Sequence, residues 1–300
     1  MSYPDFLIAG TARAGTTSLY YYLKQHPEIV LPKVKEPCFY TFANQKISYR
    51  KGKFAFAVTN PEKYSRLYSA AQSGQIKGDL STPYLYLHER TISNIKRYHP
   101  SPDQLKIVII LRNPADRAFS QYMWKRRDGR EELEFEEALN EEENRMKLGF
   151  SFDYFYRDRG LYYNQVKAYL ENFSQVRIFL LDDFKKDTTG MMKELCRFIG
   201  VSNEFEFKME KERNAGYEPR WNLLGRIVTA ESKLKFHILN HIPENLKSGI
   251  RNQLDKWNSI SNQKAQMKIE TRQRLTEFYT EDMKKLQKLI GRDLSDWMKA

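Results

Sequence analysis

The chain has 300 residues, 41% of them hydrophobic, which allows one large α/β domain or two small ones built on a sizeable core. Lys and Arg exceed Asp and Glu by 50 to 38, and the net charge of +12 predicts an anionic partner. The basic residues are spread along the chain instead of gathered in one arm, which counts against nucleic acid, and the longest aliphatic run, 107–111, is far short of the ~20 apolar residues of a membrane span.

Residues 1–5 are short and polar rather than a signal peptide, so a cytoplasmic setting is expected. A buried strand over 6–9 ends in Gly10, and a helix follows over 16–25, stopped by His26-Pro27. Residues 31–40 read as irregular, 61–71 as a helix, 76–80 as a short strand and 91–98 as a helix. Residues 106–111 form the clearest buried strand, β-branched and uncharged after Lys106. Pro114 suits the first position of a helix reaching about residue 126. An acid-rich helix over 131–143 should show a solvated face. Then come a helix over 160–172, a strand over 176–181, a helix over 188–199 closed by Gly200, a mixed-charge loop over 202–219, and a nearly all-helical remainder, 222–299. Strands separated by helices predict one domain over 1–300: an α/β fold with a P-loop-like parallel sheet, helices on both faces and a helical C-terminal part. Cys38 and Cys196 make no disulfide framework, and with five scattered His they give no zinc spacing, so no metal is expected.

The segment Gly10-Thr11-Ala12-Arg13-Ala14-Gly15-Thr16-Thr17-Ser18 follows a strand and opens a helix. There, backbone amides and a helix N-terminus can hold a phosphate. Both glycines of the nucleotide-triphosphatase loop are present, but Thr16 stands where that pattern has lysine. Without the lysine no side chain serves a γ-phosphate, so a kinase or NTPase is the weaker alternative.

A second segment, Ile107 through Leu111, then Arg112-Asn113-Pro114 and on to Ser120, puts an arginine at the carboxyl end of a strand, where α/β sheets bind ligands. Ser120 lies two turns along the next helix, and the pair can grip one phosphate, the arginine bidentately.

Together the two segments resemble the sulfotransferases that use 3′-phosphoadenylyl sulfate, the bacterial and heparan-sulfate types among them. The first is similar to their 5′-phosphosulfate loop and the second to their 3′-phosphate motif. Lys35-Glu36-Pro37-Cys38-Phe39-Tyr40 resembles the acidic segment near the acceptor, residues 78–84 the following strand and turn, and residues 278–297 the closing helix, so the match covers nearly the whole chain in order. Arg13 stands where most members carry lysine, and Ser81 where heparan-type members do.

The resemblance implies transfer of a sulfuryl group from that donor to a hydroxyl or amine, with a carbohydrate as the expected acceptor. Ala12, Arg13, Ala14, Gly15, Thr16, Thr17 and Ser18 would hold the 5′-phosphate, and Arg112 and Ser120 the 3′-phosphate. Arg13 would also stabilise the leaving oxygen by fixed charge. Glu36 would be the general base, with Asp79 and Glu89 in reserve. A basic loop from Arg213 to Arg220 would close over the donor. A non-catalytic module binding glycan or nucleic acid is the other alternative.

Overall fold

The computed structural model describes residues 2–52, 54, 56–209 and 266–299. Its sheet is assembled from Phe6–Ile8 (β1), Ile29–Val30 (β2), Ile76–Leu80 (β3), Lys106–Leu111 (β4) and Val176–Leu180 (β5). The strands run parallel in the order β2-β3-β1-β4-β5, with Phe6 opposite both Gly78 and Lys106.

Alternation along the strands divides the core in two, because successive side chains leave a strand on opposite faces. Leu7, Ile107, Ile109 and Leu111 pack into one cluster, and Phe6, Ile8, Val108 and Ile110 into the other. The second cluster is closed by Thr16–Leu23 (α1) through Leu19, Tyr20 and Leu23. Next in the chain come Phe39–Phe42 (α2), Pro61–Arg66 (α3), Pro83–Tyr86 (α4), His88–Tyr98 (α5) and Pro114–Arg127 (α6). Phe39, Tyr64, Tyr84, Ile95 and Ala118 from these five helices fill the first cluster. The continuous apolar run of β4 is thus explained by burial on both faces.

The acid-rich stretch departs from expectation. Instead of one helix over 131–143, Phe135–Asn140 (α7) and Glu142–Lys147 (α8) form, and two of the acids are buried, Glu131 at 3% and Glu142 at 1% exposure. Glu131 accepts from Arg145 Nη1 and Nη2 at 2.7 and 3.0 Å and from Tyr156 Oη at 2.7 Å. Glu142 accepts from the amides of Arg157 and Asp158 at 2.6 and 2.8 Å. Their partners lie beyond the stretch itself, so its composition alone reads as solvated.

Tyr162–Asn172 (α9) follows, and the strand expected to reach 181 stops at Leu180, giving way to Leu181–Lys186 (α10). Thr188–Ile199 (α11) joins α1 in the second cluster and ends at Gly200, as expected. Of the helical remainder, Ile269–Ile290 (α12) packs on the first cluster through Leu275, Tyr279, Met283 and Leu286. A 3-10 turn covers Ser295–Met298. The rest of that expectation, 222–265, lies outside the described residues. Among the described residues no helix is long and apolar enough to cross a membrane.

Candidate functional site

Past β1 the chain stays beside β4. The amides of Ala9 and Thr11 donate to the carbonyls of Val108 and Ile110, and the Ile110 amide to that of Gly10. Gly10 has φ 144°, and a Cβ there would stand 2.9 Å from Leu85 Cβ, so this crossing over α4 needs glycine. Gly15, at φ 81°, is the N-cap of α1, with no side chain bonded to the cap and no acid in the first turn. The opening amides of a helix have no intrahelical partner and carry the positive end of its dipole, which favours an anion. Thr16, Thr17 and Ser18 occupy this turn. Ala14 is buried and Ala12 half-buried in the preceding loop.

Beside this turn lies a cluster of arginines. Arg112 leaves the end of β4, where Asn113 caps α6 through Oδ1, accepting from the amides of Ala115 and Asp116 at 3.0 and 3.1 Å. Arg112 Nη1 donates to the Arg13 carbonyl at 2.8 Å, while its buried Nε has no partner among the described residues. Arg13, a non-glycine residue at φ 69°, donates from Nε to Ser120 Oγ at 3.1 Å, and its guanidinium lies 5.9 Å from the Trp124 ring centre. Burial, then the charges of Arg112 and Arg127, push the Arg13 pKa down to about 10, so it stays protonated at neutral pH. Burial likewise lowers Arg112. Desolvated cations side by side, one with an open donor, make a site that gains from an anion.

The third component is the segment before α2. Glu36 Oε2 accepts from Thr82 Oγ1 at 2.9 Å, and Oε1 stands 3.7 Å from Lys35 Nζ. Lys35 Nζ in turn donates to Thr17 Oγ1 at 2.5 Å, tying this segment to the first turn of α1. The Glu36 side chain keeps 23% exposure, so a substrate can reach it. Asp79, by contrast, is fully buried and accepts from Tyr64 and Tyr84 Oη at 2.7 and 2.6 Å and from Ser81 Oγ at 2.6 Å. Ser81 Oγ also accepts from the Cys38 amide at 3.0 Å, so Asp79 braces the turn that carries Glu36. Burial raises the Asp79 pKa to about 6 against the pull of these hydroxyls. Glu89 is exposed in the first turn of α5.

Residues 3–287 match the sulfotransferase domain model. The chain belongs to the sulfotransferase domain family. A crystal structure of a sulfotransferase from Alicyclobacillus acidocaldarius superposes at a TM-score of 0.75 with 30% identity, covering all of both chains. The membrane-associated sulfotransferase kil1 of Dictyostelium discoideum is 29% identical over 145 residues, 46% of this chain and 28% of that protein. The bifunctional heparan sulfate N-deacetylase/N-sulfotransferase 4 of mouse is 25% identical over 227 residues, 68% of this chain and 23% of that one. The chain therefore spans about a quarter of the length of these curated relatives.

Of the residues expected in the site, the structure brings together 12–18, Arg112 and Ser120, and joins Glu36 to them through Lys35. Arg213 and Arg220 lie outside the described residues. Arg13 bonds to the Ser120 side of the site, and the ammonium beside Glu36 belongs to Lys35, which the sequence reading passed over. Its signal was available as the only cation adjacent to Glu36 within the same short motif, but the contact with Thr17 is tertiary.

Proposed function

We propose that this sulfotransferase moves a sulfuryl group from 3′-phosphoadenylyl sulfate to an acceptor hydroxyl or amine, with Glu36 as the general base. The arrangement that supports this reading runs from Arg112 and Ser120 through the first turn of α1 to Glu36. The donor's 3′-phosphate is assigned to Arg112, Arg13 and Ser120. Its 5′-phosphate is assigned to the amides at the start of α1 with Thr16, Thr17 and Ser18. The sulfuryl group then projects toward Glu36, whose partly exposed carboxylate suits proton removal from an arriving nucleophile. Positioning and fixed charge supply most of the catalysis in group transfers of this kind.

The acceptor class is proposed as a glycan. The carbohydrate sulfotransferase 15 of mouse, 21% identical over 169 residues, and the heparan sulfate enzyme above are named for such acceptors. The net charge of +12 suits an acidic one.

The test is sulfur-labelled donor offered with N-desulfated heparin, desulfated chondroitin, a tyrosyl peptide and a simple phenol. Label should pass to a glycan, and Glu36→Gln should slow transfer ~10²-fold or more with donor affinity near normal. Label retained wholly in the donor would refute sulfuryl transfer. Full turnover in Glu36→Gln would assign the base elsewhere.

A further inference from the structure

Lys35 stands where the proposed reaction needs a positive charge, and among the described residues its ammonium is the cation bonded between the first turn of α1 and Glu36. Arg13 is drawn to Ser120 and Trp124, and Arg112 to the Arg13 carbonyl. The Lys35 ammonium instead spans the interval between Thr17 Oγ1, 2.5 Å away in the first turn of α1, and Glu36 Oε1, 3.7 Å away. If a phosphate occupies the start of α1 and a nucleophile loses its proton to Glu36, the group in transit lies between those two points. We propose that Lys35 contacts the sulfuryl group and its bridging oxygen during transfer, its fixed charge pairing first with the base and then with the leaving group. This inference rests on the function proposed above.

The step balances without a further reactant. The acceptor gives its proton to Glu36, and its oxygen or nitrogen bonds to sulfur. The bond from sulfur to the bridging oxygen breaks, and the electron pair stays on the 5′-phosphate. Lys35 keeps its proton throughout. At the start its nearest anion is the Glu36 carboxylate. As that carboxylate is neutralised, negative charge grows on the departing phosphate oxygen. The ammonium thus gives up a carboxylate at 3.7 Å for direct contact with the growing charge on the bridging oxygen, and this closer contact favours the transition state over the ground state, the condition for raising a rate. Its partial burial strengthens the effect, because a charge removed from water acts through a lower dielectric. Burial lowers the Lys35 pKa, and Glu36 opposes that shift by favouring the charged form.

The experiment compares wild type with Lys35→Met, Lys35→Arg and Lys35→Cys. It follows single-turnover transfer of labelled sulfur to N-desulfated heparin, release of labelled sulfate to water without acceptor, and binding of adenosine 3′,5′-bisphosphate. Lys35→Met should slow transfer by ~10²-fold or more, as removal of an oxyanion-stabilising donor does elsewhere. Bisphosphate affinity should change by less than about 3-fold, since the product lacks the sulfuryl group. Lys35→Arg should keep part of the rate, because charge survives while the compact ammonium is lost. Treating Lys35→Cys with 2-bromoethylamine rebuilds an ammonium on a side chain of nearly the same length, and should restore turnover in a preparation that was slow before. The native thiols, Cys38 and Cys196, are both buried. A wild type that neither transfers nor hydrolyses the donor would defeat the underlying function, whatever the variants do. An active wild type with Lys35→Met within about 3-fold of it would overturn the role of Lys35 alone. So would a loss of bisphosphate affinity as large as the loss of rate, or an alkylated Lys35→Cys no faster than the untreated protein.

Discussion

Arg112 holds a buried Nε with no partner among the described residues and commits Nη1 to the Arg13 carbonyl, so it is prepared for an anion before one arrives. Arg112→Ala should weaken adenosine 3′,5′-bisphosphate by ~10²-fold or more, the scale of losing a buried charge-assisted pair. Adenosine 5′-monophosphate, which lacks the 3′-phosphate, should lose far less, and calorimetry with both nucleotides reads the difference. Equal losses would move Arg112 away from the 3′-phosphate. Asp79 gives a prediction of a different kind. Its folded pKa of about 6 lies above the ordinary aspartate value of 3.8, so burial favours the protonated form. Its contribution to stability is therefore greatest below pH 3.8 and is lost as pH rises through about 6. The stability of wild type minus that of Asp79→Asn should fall by up to ~3 kcal/mol across this window, at about 1.36 kcal/mol per unit. Denaturant unfolding at pH 3.5 and 7.5 would show it, and a flat difference would mean that the folded carboxyl titrates as it does in the unfolded chain. The placing of Arg112 at a strand end and of Ser120 two turns into the next helix was legible because both are local in sequence, whereas the bonds that tie each of them to Arg13 are tertiary. Glu36 was singled out only through the family resemblance, since its partner Thr82, and Thr17, which accepts from the neighbouring Lys35, come from other segments.

Helix α6 serves the site with one face and the interior with another. Ser120 and Trp124 meet Arg13, while Arg117, Gln121 and Lys125, spaced four apart, are buried. Arg117 Nη2 donates to the Tyr156 carbonyl, and Lys125, fully buried, reaches Asp153 at 2.6 Å and lies 3.4 Å from the Tyr154 ring centre. Asp153→Asn should cost ~3–5 kcal/mol, because it leaves a buried ammonium without its counter-charge. Lys125→Met in the same background should recover much of that loss, a coupling that a double-mutant cycle in urea measures. A cost under ~1 kcal/mol for Asp153→Asn would mean that water already solvates Lys125. The start of this helix could be read from Asn113 and Pro114, whose capping signals are local. The split of α7 from α8 could not, because Glu131 and Glu142 are paired by residues 145 and 156–158. The two-residue strand β2 is too short for any alternation to show.

At the scale of the molecule, the segments leaving β1, β2, β3 and β4 meet at the carboxyl ends of the strands: the α1 turn follows β1, Lys35 and Glu36 follow β2, Thr82 follows β3 and Arg112 follows β4. The parallel α/β architecture was legible from the alternation of strands and helices, and from β4 most clearly. The order of the strands was not, because it is set by pairings between distant segments. That order has a consequence for how the protein is made. Phe6 pairs with Gly78 on one side and Lys106 on the other, roughly 70 and 100 residues downstream. The central strand of the sheet therefore leaves the ribosome before either of its neighbours exists. At ~5–20 residues per second, β1 waits about 5–20 s for β4, with Phe6, Leu7 and Ile8 unpaired. During that interval the segment that will be buried on both faces is an open edge, ready to pair with another chain. The nascent protein is at its most aggregation-prone then, and a chaperone holding the segment around β1 would protect it until β4 emerges.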